Sequence, residues 1–132
     1  MGRLRLKKGF TTEKGWVIMR TKMKTEAESR LEFVRELRRR MPSAVVMRHE
    51  DLFAAGVPDI SVSAGRRTLW IEAKRRGAKL TGLQAENIRR LDGLVVRFHS
   101  GGEAEIEGIG RGTLDWAADW VAAYTITCAI NR

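Results

Sequence analysis

The sequence predicts an α/β domain in which a mixed sheet is flanked by helices, with its core elements in the order α-β-β-β-α-β. Three observations predict this fold class. A helical periodicity begins at Thr25, two runs on either side of Gly65 alternate apolar and polar residues, and a helix-then-strand pattern follows them. With 132 residues, 43% of them hydrophobic, the chain has the size and composition of one domain with one core.

The positive charge of the chain is concentrated at its start. The net charge is +9, and residues 1–24 hold eight Lys/Arg against the single acid Glu13. We interpret residues 1–24 as a basic N-terminal arm and residues 25–132 as a single domain. A cationic arm favours a nucleic-acid partner; the alternative is a solvated terminus that aids solubility.

Two further features of composition bear on location. The single Cys128 forms no intrachain disulfide, which fits a reducing compartment. No apolar run approaches 18 residues and no signal-peptide pattern is present. The sequence therefore predicts a soluble, cytoplasmic protein without a membrane partner.

The first helix is predicted from Thr25 to just before Pro42. Apolar residues recur along it at steps of three and four. Thr25 and Glu28 have the spacing of a capping box, and Pro42 disfavours the helical conformation of the residue before it.

The remaining elements follow from turn residues and periodicity. Strands are predicted at 44–48, 59–63, 68–74 and 94–99, with a weak one at 105–107, and residues 124–130 are predicted to be extended because they are β-branched. Thr81 is predicted to cap a second helix that ends near Leu91, and Thr113 to cap a third. Trp116 and Trp120 on the third helix are core residues or, alternatively, a dimer contact.

The two alternating runs are predicted to pair as a hairpin with Gly65-Arg66 at its turn. Ile60 then faces Ile71 and Asp59 faces Glu72, and every pair matches in character, which supports this register. One face carries the apolar side chains. Asp59, Glu72 and Lys74 share the other face.

Two carboxylates in direct opposition are destabilising unless something neutralises them. A divalent cation would do so, and two hard oxygen ligands suit Mg²⁺ or Mn²⁺ better than zinc. The alternative is a surface hairpin in which Lys74 screens Glu72 and water screens Asp59. A local conflict in an otherwise consistent sequence favours the functional interpretation.

The residues of this hairpin resemble a known family. Gly56-Val57-Pro58-Asp59, then Ile71-Glu72-Ala73-Lys74, then Gln84 are similar to the motif of the PD-(D/E)XK nuclease superfamily, and most closely to its VRR-NUC branch. The resemblance covers residues 25–100. It implies a restriction-endonuclease-like core and a metal-dependent DNA endonuclease, bacterial or phage-encoded, which acts as a homodimer on branched or structured DNA in the manner of Holliday-junction resolvases.

By this resemblance, Asp59, Glu72 and the backbone carbonyl of Ala73 ligate Mg²⁺ or Mn²⁺. Lys74 orients or deprotonates the attacking water and stabilises charge at the phosphate. The chemistry agrees, because a bound ion polarises the phosphoryl oxygen and a nearby lysine adds charge that matters most in the transition state.

Two further residues have both a functional and a structural interpretation. Glu28 resembles the acidic residue that the family often places on its first helix as a metal ligand, and Gln84 resembles the family's helix glutamine near the site. Each also has the spacing of a capping box, with Thr25 and Thr81 respectively.

Basic residues near the hairpin and in the arm are the predicted DNA contacts. Those after Lys74 are Arg75, Arg76 and Lys79, and those in the arm include Lys7 and Lys8. His49-Glu50-Asp51 precedes the site strand and could line the cleft; it is weak as a metal cluster and is more simply a loop exposed to water. A non-catalytic nucleic-acid-binding module is the main alternative function, and an interaction or packaging accessory with an RNA-directed arm is a second.

Overall fold

The structure, a computed structural model, describes residues 2–7, 17–22, 25–49 and 55–130. Within these ranges the chain is an α/β protein with a six-stranded mixed sheet flanked by three helices. The helices are α1 Glu26–Arg40, α2 Gly82–Leu91 and α3 Leu114–Ile130. The strands are β1 Gly2–Lys7, β2 Val17–Lys22, β3 Val45–Arg48, β4 Ile60–Ala64, β5 Arg67–Arg75, β6 Leu94–Phe98, β7 Glu103–Ile106 and β8 Gly110–Thr113.

The main sheet keeps the strands in chain order, β3-β4-β5-β6-β7-β8. Only the β5–β6 pair is parallel, and α2 makes the crossover between these two strands. The predicted order α-β-β-β-α-β is confirmed from α1 to β6. β1 and β2 form a separate antiparallel pair, so the described part of the arm is a two-stranded sheet.

The hairpin register is confirmed. Ile60 pairs with Ile71, Ser61 with Trp70, Val62 with Leu69 and Ser63 with Thr68. Gly65 at the turn has φ +63°, a left-handed conformation that glycine adopts without strain.

The hydrophobic core lies between α1, α3 and one face of the main sheet. The helices contribute Phe33, Val34, Leu37, Leu114, Ala117, Ala118 and Val121, and the strands contribute Val46, Ile60, Val62, Ile71, Ala73, Val96, Phe98, Ala104 and Ile106. α2 packs against β5 and contributes no buried residue to this core. The apolar residues of the hairpin therefore face the core as predicted.

The prediction that residues 124–130 are extended is wrong, because α3 continues without interruption to Ile130. Burial at Ala117, Val121 and Thr125 follows a helical step of four, so packing on the core outweighs β-propensity. The hydroxyl of Thr125 donates to the Val121 carbonyl at 2.7 Å, which satisfies this polar group within the helix.

The glycine-rich stretch after β6 forms two strands where the sequence indicated one weak strand. β7 and β8 pair antiparallel, with Gly112 opposite Ala104. The indole of Trp116 packs on Gly112, where a Cβ would lie 2.9 Å from the ring. Glycine thus provides space for a tryptophan in this hairpin. Thr113 accepts a hydrogen bond from the Trp116 amide at 3.0 Å, which confirms it as the cap of α3.

Within the described ranges, no helix is long and apolar enough to cross a lipid bilayer.

Candidate metal centre

The site is built around Glu72 in β5, one of the interior strands of the sheet. The Glu72 side chain is only 1% exposed. Asp59 immediately precedes β4, and the hairpin register places it beside Glu72. The backbone amide of Ala73 donates to Asp59 Oδ2 at 3.1 Å, so the β5 backbone itself holds this carboxylate in place.

The ionisation of Glu72 is perturbed by its surroundings. Burial, then the hydrogen bond with Asp59, then the charge of Asp59 raise the pKa of Glu72 to about 8, while Lys74 and Arg30 act in the opposite direction. A hydrogen bond between two carboxyl groups requires a shared proton, so without a cation the pair keeps that proton at neutral pH. Buried carboxylates are otherwise paired or bound to a metal.

Glu72 also has an unsatisfied atom. Its Oε1 is buried and makes no hydrogen bond among the described residues. A buried acceptor without a partner costs about 1–3 kcal/mol. Within the described residues, this oxygen is therefore left able to accept a hydrogen bond or to bind a cation.

The ligand set fits a hard divalent ion. Asp59 and Glu72 offer carboxylate oxygens, and Ala73 adds a backbone carbonyl between Glu72 and Lys74. No group of three Asp, Glu, His or Cys side chains that could hold a metal occurs in the part of the chain that the structure describes. Mg²⁺ commonly keeps several waters and uses only one or two carboxylates, so this small set suffices.

Lys74 is half-buried and lies two residues beyond Glu72 on β5, on the same side of the strand. Its positive charge lowers the pKa of Glu72. The sequence-predicted trio of Asp59, Glu72 and Lys74 is therefore brought together.

Arg30 is a member of this centre that the sequence analysis did not identify. It lies on α1, and its Nε is 3.8 Å from Asp59 Oδ2. Its charge also lowers the pKa of Glu72. Arg30 is 29 residues before Asp59 in the chain and has no local pattern around it, so only the packing of α1 on the sheet reveals it.

The chain segment that leads into Asp59 packs against α2. Gly56 has φ +80°, and a Cβ there would lie 2.5 Å from Leu83 Cγ. Asn87 Nδ2 donates to the Gly56 carbonyl at 2.8 Å. Pro58 is fully buried, so the segment that leads into Asp59 is held from both sides.

Glu28 and Gln84 both form capping boxes. Thr25 N donates to Glu28 Oε2 at 3.1 Å, and Thr81 N donates to Gln84 Oε1 at 2.9 Å. The structural alternative is thus present at each residue, and α2, which carries Gln84, packs against β5. Their roles in the site stay predictions, and Glu28 would have to leave its cap to bind an ion.

The basic loop after β5 is ordered by β6. Arg75, Arg76 and Lys79 are exposed, and Arg76 N donates to the Phe98 carbonyl at 2.9 Å. Arg97 binds the carbonyl of Ala78 and pairs with Glu107 at 3.2 Å. Of the two lysines predicted in the arm, Lys7 is the last residue of β1, and Lys8 lies outside the described residues.

His49 lies beside the centre, since its amide donates to the Asp59 carbonyl at 2.7 Å. Its Nε2 is 2.7 Å from Ser61 Oγ, and its ring is 5.2 Å from that of Trp70. Glu50 and Asp51, the other members of the weak cluster, lie outside the described residues.

Trp116 and Trp120 are half-buried and pack against the core, as the simpler interpretation predicted. Trp120 also stacks on Tyr124 with ring centroids 5.0 Å apart. These contacts do not bear on the predicted dimer, which stays a prediction.

The chain matches no protein-family model and no curated protein sequence. Its functional assignment therefore depends on the residues of the site.

Proposed function

We propose that this protein is a Mg²⁺- or Mn²⁺-dependent DNA endonuclease with a restriction-endonuclease-like core, similar to the VRR-NUC branch of the PD-(D/E)XK superfamily. The single observation that carries the proposal is the buried Glu72, with its unsatisfied Oε1, held against Asp59 in an otherwise well-paired sheet. A chain that only bound DNA through basic residues would gain nothing from this arrangement.

Asp59, Glu72 and the Ala73 carbonyl would hold the ion. When bound, it would polarise a phosphoryl oxygen and lower the pKa of a coordinated water. Asp59 is already oriented by the Ala73 amide, so part of the ligand set is preorganised. Preorganised charge is effective because no reorganisation is required as the transition state forms.

Lys74 would act on the phosphate. Its ammonium shares a strand face with Glu72, and it adds positive charge where negative charge develops. In the reaction, the oxygen of water forms a bond to phosphorus and loses a proton to solvent. The opposite P–O bond breaks, and its electron pair stays on the leaving oxygen, which takes up a proton.

The exposed Arg75 ends β5, and the exposed Arg76 and Lys79 lie in the loop that follows it. These three residues would contact phosphates of the DNA backbone beside the site. We extend the proposal to branched or structured DNA and to a homodimer. Both of these parts rest on the family resemblance.

Cleavage of four-way, flap and linear duplex DNA in Mg²⁺, Mn²⁺ or EDTA tests the proposal. The wild type should cut in either metal and not in EDTA. Lys74→Ala and Asp59→Asn should each lower the cleavage rate at least about 100-fold, the cost of removing one preorganised charge from such a site. Arg39→Met is a matched control, because Arg39 is exposed on α1 and its ion pair among the described residues is with Glu36.

Cutting that survives both site substitutions would contradict the assignment of residues. DNA binding that ignores divalent metal, with no cutting of any substrate, would instead establish the non-catalytic binding module. Light scattering of the same samples measures whether the active species is a dimer.

A further inference from the structure

Arg30 brings a fixed positive charge into the carboxylate pair from a different element. Its side chain is 22% exposed and that of Asp59 is 23% exposed, so both are largely shielded from solvent. The guanidinium is charged at every accessible pH. It therefore contributes one permanent positive charge to a centre that otherwise contains two acids and Lys74.

Arg30 does not hold Asp59 in the way that a hydrogen-bonded ion pair would. Its Nε is 3.8 Å from Asp59 Oδ2, which is beyond hydrogen-bonding distance. The same oxygen already accepts the Ala73 amide at 3.1 Å. Asp59 is thus positioned by the β5 backbone, and an additional anchor is not required.

The Nε–H of Arg30 lacks an acceptor in the part of the chain that the structure describes. Nε is buried and makes no hydrogen bond among the described residues, while Arg30 Nη2 donates to Glu26 at 3.2 Å and fixes the plane of the group. Glu72 Oε1 is unsatisfied in the same centre. A simple buried ion pair would let this donor and this acceptor satisfy each other.

Among the described residues, Arg30 Nε is an unpaired donor that could bind an anionic group, and Glu72 Oε1 is an unpaired acceptor that could bind a cation. Together they suit a ligand with both anionic and cationic parts. A phosphate with its divalent ion has this character. The charges also balance, because Asp59 and ionised Glu72 offset Arg30 and Lys74. One divalent ion then remains to neutralise the phosphodiester and the charge that develops on it.

We propose that Arg30 is the second cation of the centre, that its guanidinium binds a non-bridging oxygen of the phosphate being cut, and that the site therefore uses one divalent ion. This inference rests on the proposed function. A second ion would find no third carboxylate in any cluster within the described residues, and it would meet the charge of Arg30 beside Asp59.

Binding of Mn²⁺ separates this role from a structural one. We expect one Mn²⁺ per wild-type chain, measured by titration calorimetry and electron paramagnetic resonance on the full-length protein. Arg30→Met should bind Mn²⁺ on the order of tenfold more tightly, because a repelling charge a few ångströms away in a partly shielded site is removed. A residue that merely held Asp59 would, when lost, weaken Mn²⁺ binding.

The titration is best done at pH 8.5 under argon. Arg30 lowers the pKa of Glu72, so the Arg30→Met substitution raises that pKa and lets protons compete more strongly with Mn²⁺ for the Glu72 carboxylate. An alkaline pH limits this competition. The same variant should lose about 100-fold in kcat/KM for DNA, with Arg30→Lys recovering part of the loss. Arg39→Met serves as the control on the same helix, and thermal unfolding verifies that each variant is folded.

Two Mn²⁺ ions per wild-type chain, or weaker Mn²⁺ binding by folded Arg30→Met, would overturn the inference while leaving the nuclease proposal intact. Wild-type protein that binds no Mn²⁺, or binds it equally well after Asp59→Asn, would overturn both.

Discussion

Glu72 is an acid that the sheet has removed from water. Its pKa of about 8, against an ordinary value of 4.5, means that the folded protein retains a proton on this residue which the unfolded chain releases. Between about pH 5 and pH 8 the native state therefore binds more protons than the unfolded state. The free energy of unfolding contributed by this group falls as pH rises through that window.

Glu72→Gln should remove this dependence. Glutamine has nearly the same shape and carries no charge, so in EDTA at pH 9 we expect the variant to be more stable than the wild type by on the order of 5 kcal/mol, with little difference at pH 5. Urea unfolding at the two pH values measures this. Equal differences at both values would contradict the assigned burial of charge.

Glu86→Gln is the matched control for that experiment. Glu86 is on α2, and hydrogen bonds from Arg89 and Arg90 lower its pKa, so it stays ionised from pH 5 to pH 9. Its replacement should change stability equally at both pH values.

The residues of the hairpin were predictable, and Arg30 was not. Alternation and a glycine turn specify which side chains face each other within one hairpin, so the pairing that brings Asp59 to Glu72 could be predicted from local sequence. The position of Arg30 depends on how α1 packs across the sheet. No local pattern encodes that packing, and a helical arginine is most often solvated.

At the scale of elements, the β7–β8 hairpin packs against α3 through the side chain of Trp116. Ala at position 112 would place a Cβ 2.9 Å from the inner atoms of the Trp116 indole, which is packed against the core and cannot easily move. We expect Gly112→Ala to lower the free energy of unfolding by about 1–3 kcal/mol, the usual cost of overpacking.

Gly82→Ala is the control, because a Cβ at the start of α2 meets nothing within 4 Å. It should raise stability by about 0.5 kcal/mol, since alanine loses less backbone entropy on folding. Urea unfolding of both variants checks the pair. If Gly112→Ala were as stable as Gly82→Ala, the result would contradict the close packing of Trp116 on this hairpin.

β8 and the C-terminal half of α3 were not predicted from the sequence, because packing between distant parts of the chain determines both. The glycines of β8 lower its β-propensity, and Thr125 and Ile126 raise that of α3, so local preference opposes the observed structure in both places. Burial at Val121 and Thr125 against the sheet decides the outcome for α3. At the two helix N-termini, local preference and the observed structure agree, and both capping boxes form as their spacing indicated.

At the scale of the whole molecule, the proposed catalytic centre and the predicted DNA-binding arm lie in different parts of the chain. The candidate centre lies within the main sheet and α1, whereas eight basic residues lie in residues 1–24. Charge that contacts phosphates contributes to affinity through counterion release, which depends on salt and not on sequence. The arm and the centre should therefore be separable by mutation.

Lys7→Gln combined with Lys8→Gln should weaken DNA binding without lowering kcat at saturating DNA. If each lysine contacts one phosphate, the slope of log K against log salt should decrease in magnitude by about 1.8. Binding is measured in EDTA over a range of salt concentrations, and kcat in Mg²⁺. Arg39→Gln combined with Arg66→Gln removes the same charge from an exposed helix position and the hairpin turn, and it should leave the slope nearly unchanged. An unchanged slope for the lysine pair would show that these lysines contact no phosphate, and an equal change in the control would show that net charge and not the arm determines DNA affinity.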